Sequence, residues 1–214
     1  MSDEPKAPGA PALSPASRGP APAQRLLGLP PVASAQTVVL ILGSFPGAAS
    51  LRARQYYAHP QNHFWKILQA LWPQHPLPPS GPGGYEARCA WLLERRLGLW
   101  DVYASCEREG SLDTSIRNPE VNDFARLHGQ CPRLSAVAHN GGESFKHAKA
   151  VQASLQAQGL LQQTGPAYGA SPSPVGGVRI ESVRLPSTSP ANASWSFDRK
   201  LDAWAALMAA HGLL

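Results

Sequence analysis

Residues 38–42, Val-Val-Leu-Ile-Leu, constrain this chain more than any other segment. Five consecutive aliphatic side chains end at Gly43 with no polar position among them, the pattern of a strand buried on both faces. Three more short apolar runs, at 99–103, 135–139 and 178–185, alternate with stretches of helical periodicity, which indicates an α/β fold around a parallel sheet. Phe64, Trp65, Ile67, Leu68, Leu71 and Trp72 recur at helical spacing until Pro73 stops them. A second helix is expected over 85–97, with Gly98 just past its end, and a third is capped by Asn118, opened by Pro119 and striped by Val121, Phe124 and Leu127. A fourth spans about 143–158 and closes at Gly159. The last, entered through Ser196 and Asp198, puts Phe197, Leu201, Trp204, Met208 and His211 on one face. Segments 73–84 and 164–177, rich in Pro, Gly or Ser, read as surface loops.

Residues 1–36 hold eight of the 22 prolines and almost no periodic apolar pattern, so they are expected to form a disordered tail, with the folded domain covering 37–214. The 43% hydrophobic content supports one packed core, and the formal charge of +5 permits a polyanionic partner. Cys89, Cys106 and Cys131 are too widely spaced for a zinc or iron–sulfur motif, and their odd number does not suit a disulfide framework, which favours a reducing, cytoplasmic setting. His59 and His63 are four apart, but Pro60 between them argues against a helical metal pair, and no metal site is expected. Neither a secretory leader nor a membrane span is indicated.

Ligands of open parallel sheets bind beyond the carboxyl ends of the strands. There the chain reads Gly43-Ser44-Phe45-Pro46-Gly47, later Tyr56-Tyr57-Ala58-His59-Pro60-Gln61-Asn62, then Asp101 to Cys106 followed by Gly110-Ser111-Leu112-Asp113, then Asn140-Gly141-Gly142, and finally Leu185-Pro186-Ser187-Thr188-Ser189-Pro190-Ala191-Asn192. Gly43 and Gly47 do not make the GxGxxG of a dinucleotide site. In this order the motifs GSFPG, YYAHPQNxFW and LPSTSPAN resemble the uracil-DNA glycosylase superfamily, most closely its hypoxanthine-DNA glycosylase branch. The resemblance spans the chain from about Thr37 onward and implies a three-layer α/β/α fold with a central four-stranded parallel sheet.

It further implies a monofunctional DNA glycosylase that flips a deaminated base, preferably hypoxanthine, out of DNA and hydrolyses its N-glycosidic bond, as a monomer without a cofactor or membrane association. The alternatives are a uracil- or mismatch-specific glycosylase of the same superfamily and a nucleic-acid-binding module without catalysis. Uracil-specific members carry an acidic or Asn residue where this chain has Phe45, and a base-contacting His where it has Leu185. In the hypoxanthine branch the water-orienting duty falls to the Asn of the HPxN element, here Asn62. An amide cannot take a proton at neutral pH, but its carbonyl oxygen can accept a hydrogen bond from water and aim a lone pair at the sugar carbon. The same position suits a cap on the helix that follows.

Asp101 falls where the superfamily's base-reading residue lies. An ionised carboxylate accepts the N1–H of hypoxanthine and meets only an acceptor at N1 of adenine. The other reading is a solvated strand-end aspartate. Phe45 offers a stacking face for the base or else fills core, and Gly43 and Ser44 permit close approach of the base or sugar. Tyr57 walls the pocket, and Asn140 is counted with the base-contacting residues. Ser187, Ser189, Pro190 and Asn192 are counted as DNA-contacting.

Overall fold

In the computed structural model, which describes residues 25–163 and 180–214, the aliphatic run becomes β2 (Val39–Gly43), with every residue buried. It pairs in parallel with β3 (Leu97–Asp101) on one side and β6 (Ala136–Asn140) on the other, and β7 (Glu181–Leu185) completes the order β3-β2-β6-β7. Alternation along β2 divides the core. Val39 and Ile41 meet α2 (Phe64–Leu71), α3 (Gly84–Glu94) and α7 (Phe197–Ala210), while Leu40 and Leu42 meet α4 (Phe124–Gln130) and α6 (Ala148–Gln163). Each such side chain contributes roughly 1.5–3 kcal/mol through burial. This is the expected three-layer α/β/α arrangement on a four-stranded parallel sheet.

Helix α2 follows its pattern closely: Phe64, Trp65, Ile67 and Leu68 are buried, and Phe64 packs edge-on against Trp204 of α7 at 5.8 Å. Ser196 caps α7 by accepting the Arg199 amide, as its position suggests.

Elsewhere the structure corrects the expectation. The run at 99–103 straddles two strands, β3 and β4 (Tyr103–Glu107), with Val102 between them. β4 belongs to a second, antiparallel sheet of order β1-β4-β5, with β1 (Arg25–Leu27) and β5 (Arg117–Val121) at its edges. Asn118 and Pro119 therefore lie in an exposed edge strand, where a proline without an N–H is tolerated. The helix begins later, at α4, with Asp123 Oδ1 accepting the Arg126 amide. Gly98 does not follow a helix end but sits inside β3, where a Cβ would meet Thr37 Cγ2 at 2.9 Å. The helix expected at 143–158 is split into α5 (Gly142–Phe145) and α6, with Gly159 inside α6. The short α1 (Ala48–Ala53) carried no clear apolar periodicity. The loop expected at 164–177, residues 178–179 and residues 1–24 of the expected tail lie outside the described residues.

The domain boundary at residue 37 is placed too late. Arg25–Leu27 pairs with β4, the Gly28 amide donates to Ala104 O at 2.8 Å, and Val32 and Leu99 exchange backbone hydrogen bonds of 2.9 and 2.8 Å. Leu29 and Val32 pack on one core layer, and Tyr56 Oη donates to the carbonyls of Leu29 and Pro30, each at 3.2 Å. Proline density hid this stretch, because an edge-covering segment needs few amides and no periodicity. Among the described residues no helix is long and apolar enough to cross a membrane, and the three cysteines are free.

A protein beginning at Thr37 is therefore expected to be less stable than one beginning at Arg25 by on the order of 3 kcal/mol, the loss of two partly buried aliphatic side chains and a strand pairing. Urea unfolding of the two proteins measures the difference, and equal midpoints would refute it.

Candidate active site

Parallel register brings Gly43 beside Asp101 at the carboxyl ends of β2 and β3, and Asn140 ends the neighbouring β6. A Cβ at Gly43 would stand 2.3 Å from Asp101 Oδ1, so only glycine lets the carboxylate occupy this place. Asp101 is 4% exposed, and its buried Oδ2 has no hydrogen-bond partner among the described residues. Burial raises its pKa to about 7, the nearby Asp113 adds to the rise, and Arg108 opposes it.

The loop after β2 forms one wall of the site. Ser44 Oγ donates to Asp113 Oδ1 at 2.6 Å. The Phe45 ring is buried with the Arg108 guanidinium 5.0 Å from its centroid, and Arg108 also donates to Pro46 O. Opposite lies Tyr57, held at a left-handed φ of 55° and stacked on Phe64 at 3.8 Å. Such a backbone is costly for a bulky residue and persists only where packing enforces it.

Residues 59–62 form a tight turn in which the Asn62 amide donates to His59 O at 2.9 Å. Asn62 Oδ1 accepts the Phe64 amide, also at 2.9 Å, so the side chain does cap the start of α2. A carbonyl oxygen has two lone pairs, and this bond orients the second.

Asn140 and Thr188 are clasped at two points: Asn140 Oδ1 accepts the Thr188 amide and Asn140 Nδ2 donates to Thr188 Oγ1, both at 2.9 Å. Its other N–H donates to Tyr57 Oη at 3.2 Å, so both donors of the amide are engaged within the protein. Thr188 O in turn accepts the His63 amide at 3.0 Å, tying the loop after β7 to the entry of α2. That loop also bonds to itself. Ser187 Oγ accepts the Ser189 amide, Ser189 Oγ accepts the Ala191 amide, and Asn192 Nδ2 donates to Ser187 O. Each serine keeps its O–H for an outside acceptor.

Every site residue named from the sequence, Gly43, Ser44, Phe45, Tyr57, Asn62, Asp101, Asn140, Ser187, Ser189, Pro190 and Asn192, lines one cavity of about 560 Å³. That size suits a small organic ligand. The same cavity is lined by Ser111, Leu112, Asp113 and Thr188, which lie in the strand-end segments quoted from the sequence but were given no role there. Thr188 is hidden inside a Ser/Pro-rich motif. Asp113 stands twelve residues beyond Asp101, and only tertiary folding of the intervening strand returns it to the site.

The sequence matches the family model of the uracil DNA glycosylase superfamily over residues 30–208. It is 37% identical over 139 residues to a hypoxanthine DNA glycosylase of Methanosarcina barkeri, covering 64% of this chain and 85% of that protein. A hypoxanthine DNA glycosylase of Methanosarcina acetivorans is 32% identical over 180 residues, 84% of this chain and 96% of the relative. The fold is similar to the solution NMR structure of a candidate uracil DNA glycosylase from M. acetivorans, with a TM-score of 0.64 and 31% identity over 88% of this chain and 99% of that one.

Asp101 ionises above about pH 4 in an unfolded chain but only above about pH 7 when folded, so its burial lowers stability increasingly as pH rises between those values. Asp101→Asn is expected to raise stability at pH 8 by on the order of 4 kcal/mol, a gain that fades towards about pH 4. Calorimetry across this range checks it, and a pH-independent difference would contradict it.

Proposed function

This chain belongs to the uracil DNA glycosylase superfamily, and we propose that it is a monofunctional DNA glycosylase that takes a deaminated base, preferably hypoxanthine, into the cavity and hydrolyses its N-glycosidic bond. The observation that carries this reading is Asp101, a buried residue that lines a cavity large enough for a base and that has one carboxylate oxygen without a hydrogen-bond partner among the described residues. A buried acceptor without a partner is costly unless a ligand supplies the donor. Hypoxanthine supplies one at N1–H. The hypoxanthine DNA glycosylases of the two Methanosarcina species, with their high coverage, support the same choice.

In this reading the extruded base stacks on Phe45 and turns its N1–H towards Asp101, while Gly43 and Ser44 let it approach the backbone. Bond cleavage leaves an oxocarbenium-like sugar, which needs an aimed water more than a strong base. The second lone pair of Asn62 Oδ1 holds that water, and the Phe64 amide on the first keeps the side chain pointing correctly. Asn140 acts through others, fixing Tyr57 and the loop after β7. The outward O–H groups of Ser187 and Ser189 donate to backbone phosphates, and Pro190 and Asn192 hold the loop's shape. The enzyme acts as a monomer in a reducing cytoplasm.

Asn62→Ala should slow single-turnover excision of hypoxanthine from duplex DNA by about 10²–10⁴-fold, the cost of losing a positioning group. Asn62→Asp, which caps α2 equally well, should restore stability without restoring the wild-type rate. Wild-type rates in a folded Asn62→Ala protein would refute the mechanism. Duplexes carrying uracil or xanthine, measured alongside, define the base preference.

Selectivity should also depend on pH. A protonated Asp101 can donate to N1 of adenine and accept from its amino group, so the ratio of hypoxanthine to adenine excision should fall as pH drops below about 7, approaching tenfold per pH unit. A ratio constant from pH 8 to pH 5.5 would remove Asp101 from base reading.

A further inference from the structure

We propose that Asp113 is the acid that protonates N7 of the purine as the glycosidic bond breaks, an inference that rests on the DNA glycosylase reading above and deepens it. Uracil has no such nitrogen, so an acid at this place favours a purine.

Asp101 and Asp113 meet the end of β2 at consecutive residues. Asp101 Oδ1 fills the place of a Cβ at Gly43, and Asp113 Oδ1 accepts Ser44 Oγ at 2.6 Å. Consecutive Cα atoms are only about 3.8 Å apart, so the two carboxyl groups are neighbours in the cavity that both line. Ser44 engages Oδ1 of Asp113, and among the described residues Oδ2 has no hydrogen-bond partner. The proton of the neutral acid therefore belongs on Oδ2.

Hypoxanthine presents N1–H, the C6 carbonyl and N7 in sequence: donor, acceptor, acceptor. A carboxylate beside a carboxylic acid matches the two ends of that pattern, with Asp101 on N1–H and Asp113 on N7. Other ionisable groups of the cavity are placed for different tasks. Tyr56 Oη donates to the carbonyls of Leu29 and Pro30, and Tyr57 Oη accepts from Asn140. His59 lies in the turn that holds Asn62, on the side assigned to the water, with its Nδ1 accepting the Gln61 amide.

Binding of the base decides where the proton resides. Two adjacent carboxyl groups resist ionising together, and in the free protein the proton is held at Asp101 up to about pH 7. The N1–H of hypoxanthine takes that proton's place and favours the Asp101 carboxylate, whose charge then favours the acid form of Asp113. Desolvation within the site and the Glu143 carboxylate also raise the pKa of Asp113, while the Ser44 hydrogen bond, Arg108 and Lys146 oppose the rise. Glu143 is itself paired with Lys146 and accepts from Tyr103 Oη, which also meets His147 Nε2 at 2.8 Å.

In the reaction Asp113 Oδ2 gives its proton to N7, the C1′–N9 electron pair passes into the purine ring, and hypoxanthine leaves as a neutral molecule. Without that proton it must leave as an anion. The water at Asn62 forms the new C1′–O bond and releases a proton to solvent, and Asp113, which is exposed, takes one back from solvent.

The test measures single-turnover excision by the full chain and by Asp113→Asn from duplexes carrying hypoxanthine or 7-methylhypoxanthine, with spontaneous loss subtracted. The methylated ring already carries the charge that a proton at N7 would supply. Asparagine keeps an acceptor for Ser44 Oγ but has no proton to transfer. Asp113→Asn should slow release of hypoxanthine by about 10²-fold or more and that of 7-methylhypoxanthine by no more than about threefold. The wild-type rate on hypoxanthine should fall on the alkaline side, approaching tenfold per pH unit, and Asp113→Asn should lack this limb. An unchanged hypoxanthine rate, equal slowing on both bases, or an alkaline limb that survives in Asp113→Asn would overturn the assignment while leaving the glycosylase reading intact. Release of neither base by the wild-type protein would overturn that reading, and this role with it.

Discussion

Asp101 Oδ1 lies 2.3 Å from where a side chain at position 43 would begin, and the rest of the site is arranged around that contact. Parallel pairing sets the two residues side by side, the helices on both faces remove water from the sheet, and the missing side chain at Gly43 leaves just enough room for a carboxylate. The result is an acid with a pKa near 7, whose charge opposes folding. A core built from fully buried strands can absorb that penalty, and binding sites are where such penalties are tolerated.

Around this acid the polar groups hold each other in place. Asn140 joins the end of β6 to Thr188, Thr188 joins the loop after β7 to the entry of α2, and Asn62 caps that entry while lining the cavity. The two roles weighed for Asn62, cap and water holder, are compatible in this geometry, because one oxygen serves both through different lone pairs. Asn140 shows the contrary case. Its position at a strand end invites a base-contacting role, yet both its donors are spent inside the protein, which makes it a brace for Tyr57 and the loop.

Much of this was legible before the structure. The aliphatic run of β2 revealed a doubly covered sheet, and the motifs at the strand ends converge on one cavity because parallel strands deliver their carboxyl ends to the same edge. What escaped reading lies where local pattern and tertiary context conflict. Asn118-Pro119 has the chemistry of a helix start but sits in an edge strand, and the proline-rich stretch at 25–36 covers the edge of β3 through a few backbone bonds that leave no periodic trace. Ser111, Leu112 and Asp113 were quoted beside the second strand but given no role, because they reach the cavity through an antiparallel sheet whose short edge strands are mostly exposed and lack the apolar runs that marked the main one.

The central claim, that Asp101 reads the base, is tested most directly by the carboxyl carbon of that residue. In protein carrying ¹³C-labelled aspartate, the Asp101 resonance should titrate with a midpoint near pH 7 in the free protein. Saturating hypoxanthine, whose N1–H favours the ionised form, should bring the midpoint below about 6. A midpoint in the usual carboxylate range near 4, or one that hypoxanthine leaves unmoved, would contradict the account.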